Sequence, residues 1–452
     1  MKLRPFLAAC AVLGSFSLLP APAYSLDLLQ AYQAALGEDA RIRAARASRD
    51  AAIERLPQAR AQLLPNVSIG LVRNKNDIER TERNLLGRKT RTDEEYFSYN
   101  QSLQLRQPLF HMPLYAGLNQ ARHVVEDAEA VLELELQELG ARVTAAYLEA
   151  LLAEESLALA NKQTELTTTQ LDAARKSFAA GVGTRTDIDE AQARLDLNTA
   201  EVLSAGHQLD FSRRQLAILI NQPVSELAAI DPQRLPLQPL APVEVEDWIA
   251  LAEANSPHLR ALQARAQAAA AEVKRARGGH YPTVDAVAAL TKSGSENANS
   301  PNSSHHNRMI GIQVNIPLFA GGYTSSTVRQ AAAEQIRADE NLLAARRELA
   351  IEVQREHRGV VEGIARVRAL EQALHSAQQV VLSTRRSFAA GSRTTIDVLN
   401  AEQQQQHTAR ELAEARHLYL LSHVRLHAVA GLDRQASIDQ ANSWLQGASE
   451  AR

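Results

Sequence analysis

Apolar residues along this chain follow two rhythms, and each rhythm occurs twice. The first is long. From Leu132, apolar or small residues recur at alternating spacings of four and three through Leu136, Leu139, Val143, Ala146, Ala150, Ala153, Leu157, Ala160, Thr164, Thr167, Leu171 and Ala174 to Phe178. A mean spacing near 3.5 held for so long predicts one helix of a left-handed coiled coil. Ile188, Ala191, Leu195, Asn198, Val202, Ala205 and Leu209 carry the same rhythm through a return helix. A later stretch keeps the register more loosely, through Leu342, Leu349, Val353, Val360, Val367, Leu370, Leu374, Ala377 and Val381, with Arg346 and Glu356 interrupting it.

The second rhythm has period two, which predicts strands. Val67, Ile69 and Leu71 alternate with Asn66, Ser68 and Gly70. Tyr99, Leu103 and Leu105 alternate with Asn100, Ser102, Gln104 and Arg106, and Pro108 is expected to stop that strand. Strands are likewise expected at Val284–Thr291 and Met309–Ile316, where Ile310, Ile312, Val314 and Ile316 share one face. The polar stretches Asn74–Glu95 and Ser293–Arg308 read as solvated loops between the strands.

The two halves are copies. Ser177-Phe178-Ala179-Ala180-Gly181 recurs as Ser387-Phe388-Ala389-Ala390-Gly391, and an Asp follows each glycine at the same distance, Asp187 and Asp397. Gln107-Pro108-Leu109-Phe110 is answered by Ile316-Pro317-Leu318-Phe319, and Leu64-Pro65-Asn66-Val67 by Tyr281-Pro282-Thr283-Val284. Each copy reads as helix, strand, polar loop, strand, very long helix, tip and return helix. The expected division is a signal peptide over 1–25, a first repeat over 26–222 with its strand pair at 64–107, and a connecting segment over 223–244. A second repeat then covers 245–431 with its strand pair at 282–316, followed by a C-terminal tail over 432–452. The opening helices are expected at Leu26–Ala61 and Val245–Arg277.

Lys2 and Arg4 precede the apolar stretch Phe6–Leu19, and Ala23-Tyr24-Ser25 offers small residues for cleavage, so the chain is expected to be exported. Cys10 is the single cysteine and lies inside that leader, so packing without disulfides must stabilise the exported chain. Removing the leader's two basic residues from 49 leaves 47 against 52 acidic ones, a balance of −5. With no basic stripe interleaved with aromatics, nucleic acid is not an expected partner. No mature segment reaches the roughly 18 consecutive apolar residues of a membrane helix, so any crossing must be by strands.

Four antiparallel strands cannot close a barrel, and open sheet edges cannot face lipid. Several chains must therefore share one barrel. Two chains would supply eight strands and three would supply twelve, both even numbers found in bacterial outer-membrane barrels. The polar alternation suggests a wet lumen and favours the larger number.

Several residue runs resemble the TolC-like outer-membrane channel-tunnels of secretion and efflux systems, over nearly the whole mature chain. They are Leu28-Leu29-Gln30-Ala31-Tyr32, Gly279 to Asp285, Pro317-Leu318-Phe319-Ala320-Gly321-Gly322 and Gly391 to Ala401. The resemblance implies a mainly α fold with a small β part. Long coiled-coil hairpins would form a periplasmic tunnel beneath a trimeric twelve-stranded barrel in the outer membrane. It further implies a periplasmic adaptor protein and an inner-membrane ABC exporter or proton-driven pump as partners, together with outer-membrane lipid.

The family closes its tunnel through polar contacts at the periplasmic tips. By resemblance, Thr186 and Asp187 on the first hairpin face Arg393 on the second, whose guanidinium can make paired hydrogen bonds to a carboxylate. The plainer alternative is that Thr186 and Asp187 cap the return helix. Asp397 would project into the lumen near a constriction with Asn400, and three copies would form a carboxylate ring favouring cations. The family often has Tyr at the position of Phe388 and Asp at that of Asn400. A phenolic latch is therefore absent, and the ring would hold three carboxylates rather than six.

Gly181 and Gly391 are expected as turn formers at the tips, with Phe178 and Phe388 beside them. His423 and His427, four apart on a helix, lack an acidic third ligand and read as ordinary helix-face residues. His305-His306 lies in a polar stretch and suggests no site. No nucleophile–base pair or metal cluster suggests catalysis, and no cofactor is expected. The expected function is a passive exit duct, for type I protein secretion. A drug or metal efflux duct is the near alternative, and a soluble periplasmic scaffold without a pore the distant one.

Overall fold

The duplication reappears as two matching sets of elements. The structure is a computed structural model and describes residues 25–83, 87–296 and 303–445. The expected signal peptide, except Ser25, and the end of the tail from 446 lie outside the described residues. The first set comprises α1 (Leu28–Glu38), α2 (Ala40–Ile53), α3 (Arg55–Ala61), β1 (Asn66–Arg83), β2 (Lys89–Phe110), α4 (Met112–Ala179) and α5 (Arg185–Ile220). The second comprises α6 (Val245–Asn255), α7 (Pro257–Gly278), β3 (Thr283–Ser295), β4 (Ser303–Asn315), α8 (Tyr323–Ala389) and α9 (Thr395–Val429), and α10 (Arg434–Asn442) follows.

Both long helices form as the heptads require. α4 has 68 residues and α8 has 67. At 1.5 Å per residue each is roughly 100 Å long. The seam of α4 is buried at Leu139, Val143, Ala150, Ala153, Ala160, Thr167, Leu171 and Ala174. Alanine and threonine dominate its distal half, so α5 can approach closely. In α8 the interrupting Glu356 is buried, and Arg355 Nε donates to its Oε1 at 3.0 Å.

Several boundaries differ from those expected. Both opening helices are broken. Asp39 leaves helical geometry and caps α2, accepting from Arg41 N at 2.7 Å and Ile42 N at 3.1 Å. A second break at Glu54 separates α3. Ser256 ends α6 because the following Pro257 disfavours helical backbone before it, and its side chain then caps α7.

The polar stretches expected as loops are mostly strand. β1 runs on to Arg83 and β2 starts at Lys89, while β3 and β4 reach Ser295 and Ser303. A ladder needs backbone partners rather than apolar side chains. Cross-strand polar pairs support it here, with Lys75 Nζ 2.8 Å from Glu95, Arg91 2.6 Å from Glu79 and Asn76 donating to Ser98 at 2.9 Å. Pro108 does not end β2. The strand continues to Phe110 through a register shift, which accommodates the missing donor.

The four strands form one antiparallel sheet in the order β1-β2-β3-β4. β1 and β4 are its two edges. One face carries Val67, Ile69, Leu71, Leu103, Leu105, Leu290, Ile310, Ile312 and Val314, all exposed in the single chain. The other face is polar and holds the ion pair Arg106–Asp285 at 2.7 Å, with Asp285 buried.

The main core lies where the hairpin bases meet the short helices. Tyr32, Ile42, Tyr147, Leu216, Trp248, Tyr419, Leu426, Ile438 and Leu445 converge there. The connecting segment is part of this core. Leu26 and Leu227 form a parallel bridge, Ile230 pairs with Leu445, and the Tyr419 hydroxyl donates to Pro236 O at 2.5 Å. The start of the expected tail is equally fixed, since Asn442 Oδ1 accepts from Leu29 N at 3.2 Å.

Candidate functional site: the hairpin tips

Each long hairpin turns in the same way. Gly181 and Gly391 both have φ near 78°, left-handed backbone in which a Cβ is strained. Gly181 N donates to Phe178 O at 3.0 Å and Val182 N to Ser177 O at 3.0 Å. The second tip matches, with Gly391 N to Phe388 O at 2.9 Å and Ser392 N to Ser387 O at 3.0 Å. These paired bonds satisfy the last carbonyls of α4 and α8. Phe178 and Phe388 are half exposed to similar extents.

Each return helix then starts on a capping box. Thr184 is the N-cap of α5, and Asp187, at the third helical position, accepts from Thr184 N at 3.0 Å and Thr184 Oγ1 at 2.6 Å. Thr394 and Asp397 repeat this at α9, with both bonds to Asp397 at 2.9 Å. The capping role expected of Asp187 is therefore met from the third position rather than the N-cap, and Thr186 lies exposed between. The backbone bond from Thr394, reinforced by its hydroxyl and by Arg393, holds the Asp397 carboxyl below the usual carboxylate range.

Within one chain Arg393 reaches its own helix: Nη1 lies 3.5 Å from Asp397 Oδ1. Among the described residues it makes no bond to Thr186 or Asp187. The hairpins are joined instead a few turns above the tips, by residues the sequence did not single out. Arg194 of α5 donates to Asn400 Oδ1 at 2.6 Å and to Gln403 Oε1 at 3.0 Å, both on α9. Glu402 is buried, takes Arg385 Nε at 2.9 Å and Nη2 at 2.6 Å, and is also bound by Gln170 of α4. Arg410 of α9 pairs with Glu201 of α5. Asn400, expected at a constriction, is thus engaged in the seam between the hairpins. A sequence signal existed only for Glu402, a charged residue inside a helical stretch otherwise rich in Gln.

These contacts border a half-open groove of about 830 Å³ between α4, α5 and α9, lined by Leu159, Leu197, Arg194, Glu201, Asn400 and Arg410 among others.

The histidines expected to be ordinary lie far from the tips. His423 and His427 have ring centroids 4.4 Å apart, and Trp444 and Trp248 pack against them. Burial depresses His423 to about 3 and His417 to about 4. Among the described residues no three metal-ligating side chains cluster.

Comparison with known proteins places these features in a family. The model of the family described as "Outer membrane efflux protein" matches residues 31–222 and 248–432. The chain is 33% identical to the alkaline protease secretion protein AprF of Pseudomonas aeruginosa over 448 residues, 97% of this chain and 92% of that protein. It is 31% identical to the proteases secretion protein PrtF of Dickeya chrysanthemi, over 96% of this chain and 94% of that protein. Against the outer membrane protein TolC of Escherichia coli, identity is 28% over 98% of this chain and 89% of that one. The solved structure of CusC superposes with a TM-score of 0.78 at 16% identity, covering 90% of this chain and 93% of that one. VceC of Vibrio cholerae gives 0.76 at 21%, covering 89% and 96%.

Proposed function

The chain belongs to the outer membrane efflux protein family, and from that premise we propose that it is the passive exit duct of a tripartite type I protein-secretion system. The observation that carries the reading is geometric. Two helices roughly 100 Å long, each folded back along its distal half by a return helix of 36 or 35 residues, hang from a sheet with two unpaired edges and one apolar face. That sheet is complete only when other copies pair with its edges, and the hairpins then extend away from the membrane as a wall. Three copies give the twelve-stranded barrel and a tunnel. The names of the relatives PrtF and AprF support protein cargo.

In this reading the chain does no chemistry. An inner-membrane ABC exporter supplies energy, and a periplasmic adaptor recruits the duct. The tip closes when Arg393 of one hairpin meets Thr186 and Asp187 of another across the assembled tunnel, and Asp397 lines the entrance as a carboxylate ring. The structure of one chain leaves Arg393 and Thr186 exposed, which suits contacts made on assembly.

The test is single-channel conductance of the purified protein in planar bilayers, beside its native mass. A three-copy mass and a small cation-favouring conductance that rises with Arg393→Ala are expected. A soluble protein without channels would sink the duct, and channels indifferent to Arg393→Ala would remove this latch. Cargo is decided in cells lacking the chain. Loss of an exported protein supports secretion, whereas drug or metal sensitivity with normal export supports the efflux alternative.

A further inference from the structure

The strand register stacks side chains of the apolar face into rows across the sheet. Nearest the helices the rows are built on Val284 and Val314, then Ala286 and Ile312, then Ala288 and Ile310. The fourth row reads Ile69, Leu103, Leu290, Arg308. The fifth reads Leu71, Gln101, Lys292, His306. An arginine thus ends an apolar row, and a lysine and a histidine stand directly beyond it.

Their height is informative. A strand crosses the hydrocarbon layer in about 9–11 residues. Counted from Val284, that span ends about Lys292 to Gly294. Lys292 and His306 are therefore at the headgroup level farthest from the helices, and Arg308 lies one row below, able to extend its head upward along the apolar surface. The helices extend into the periplasm, so this level is the outer leaflet.

A groove of about 340 Å³ opens there, with Leu71, Leu103 and Leu290 on its apolar side and Lys292, His306 and Arg308 on its charged side. Tyr99 closes the next row, its ring lying over Gly294 so closely that a Cβ there would sit 2.5 Å away. Among the described residues neither Lys292 nor Arg308 has a carboxylate partner. The described ion pairs of the sheet are elsewhere, Arg106–Asp285 on the polar face and Lys75–Glu95, Arg91–Glu79, Arg91–Asp93 and Arg80–Glu82 farther out. The first acid on this face beyond Lys292 is Glu296, four residues on.

We propose that Lys292, His306 and Arg308 form a binding site for the phosphate groups of an outer-leaflet glycolipid, with its acyl chains against Leu103 and Leu290. The guanidinium offers a fork for phosphate oxygens, and the ammonium adds a second charge. The occupant follows from the surroundings. A free anion has no use for the apolar half of the groove, and a soluble macromolecule cannot reach a lipid-facing wall. The site rests on the outer-membrane location and is independent of the cargo.

The experiment titrates bisphosphorylated lipid A into the purified full-length assembly and reads bound lipid by native mass spectrometry. Two cations near an anionic surface imply roughly thirty-fold weaker binding for the Lys292→Gln/Arg308→Gln double variant, with Arg308→Lys, which keeps the charge but loses the fork, falling between it and wild type. Conductance and oligomeric mass should match wild type. If the double variant does not assemble, Lys292→Gln alone should weaken binding roughly five-fold. Equal binding by wild type and a charge-deleted variant overturns the site. So does displacement by inorganic phosphate, which would mark a free-anion site, or equal retention of zwitterionic phosphatidylethanolamine. A wild type that fails to insert into bilayers would instead sink the membrane reading itself.

Discussion

Arg194 of the first hairpin holds Asn400 of the second, Nη2 to Oδ1 at 2.6 Å, and its other terminal nitrogen reaches Gln403 one turn on. A guanidinium bound to two neutral amides makes a directional but moderate tie. It fixes how far the two coiled coils are rotated about each other without locking them.

Removing that tie should favour the open entrance. Arg194→Ala loses two charge-assisted hydrogen bonds at a half-buried site, about 1–2 kcal/mol after exposure is taken into account. The open fraction of single channels should rise roughly ten-fold. Arg194→Lys, with one compact donor head, should lie between. Identical open probabilities would show that the seam does not restrain the gate.

Glu402 should matter more for order than for conduction. It is buried and bound by Arg385 and Gln170. Glu402→Leu strands the Gln170 amide, while half-exposed Arg385 can turn to water, so the cost is about 1–3 kcal/mol. Hydrogen exchange of α9 amides around residue 402 should accelerate accordingly, and Glu402→Gln should restore most of the protection.

The tip glycines should resist any side chain. At φ near 78° an alanine at position 391 costs about 1–2 kcal/mol. Gly391→Ala and Gly181→Ala should each lower the urea midpoint of the assembled protein, and Gly391→Asn should cost less because asparagine tolerates this backbone. Equal effects of Ala and Asn would argue against backbone strain as the cause.

The His423 cluster predicts acid sensitivity. Burial, with a lesser contribution from His427, depresses His423 from an ordinary 6.5 to about 3, and Tyr419 and Trp444, which pack on it, offer no countercharge. The unfolded chain then binds a proton that the folded one refuses. Stability is complete above about pH 6.5 and falls as pH drops toward 3, by up to about 1.4 kcal/mol per unit. His423→Phe should flatten that slope in melting curves recorded from pH 7 to pH 4. An unchanged slope would assign the acid response to other groups.

Much of the architecture was legible because it is local. The heptads from Leu132 to Phe178 set the buried seam of α4, although the helix itself begins at Met112. The alternation at Val67–Leu71 and Ile310–Val314 set which faces of β1 and β4 are apolar. The repeated Ser-Phe-Ala-Ala-Gly located both turns. The misread segments have physical causes. Strands continue through Asn74–Arg83 because backbone pairing with β2 survives polar side chains. Pro108 remains in β2 because a register shift absorbs its missing donor. The breaks at Asp39 and Ser256 were present as capping residues inside stretches whose composition otherwise read as one helix.

At the tips the division is sharper. The capping boxes Thr184–Asp187 and Thr394–Asp397 are local, each closing over three peptide steps, although the sequence pointed to Thr186 and Asp187 as the caps and the structure gives the N-cap to Thr184. Arg194 and Asn400 stand 206 positions apart. Their meeting depends on the relative rotation and offset of two coiled coils, which side-chain packing along the whole seam decides. The same holds for Lys292 and Arg308, whose shared face and height follow from β3 and β4 pairing in one register. The sequence by itself determined the helices, the strand faces and the turns, because periodicity and capping act within a few residues. Only the tertiary structure decided which polar side chains meet, because that depends on angles summed over elements roughly 100 Å long.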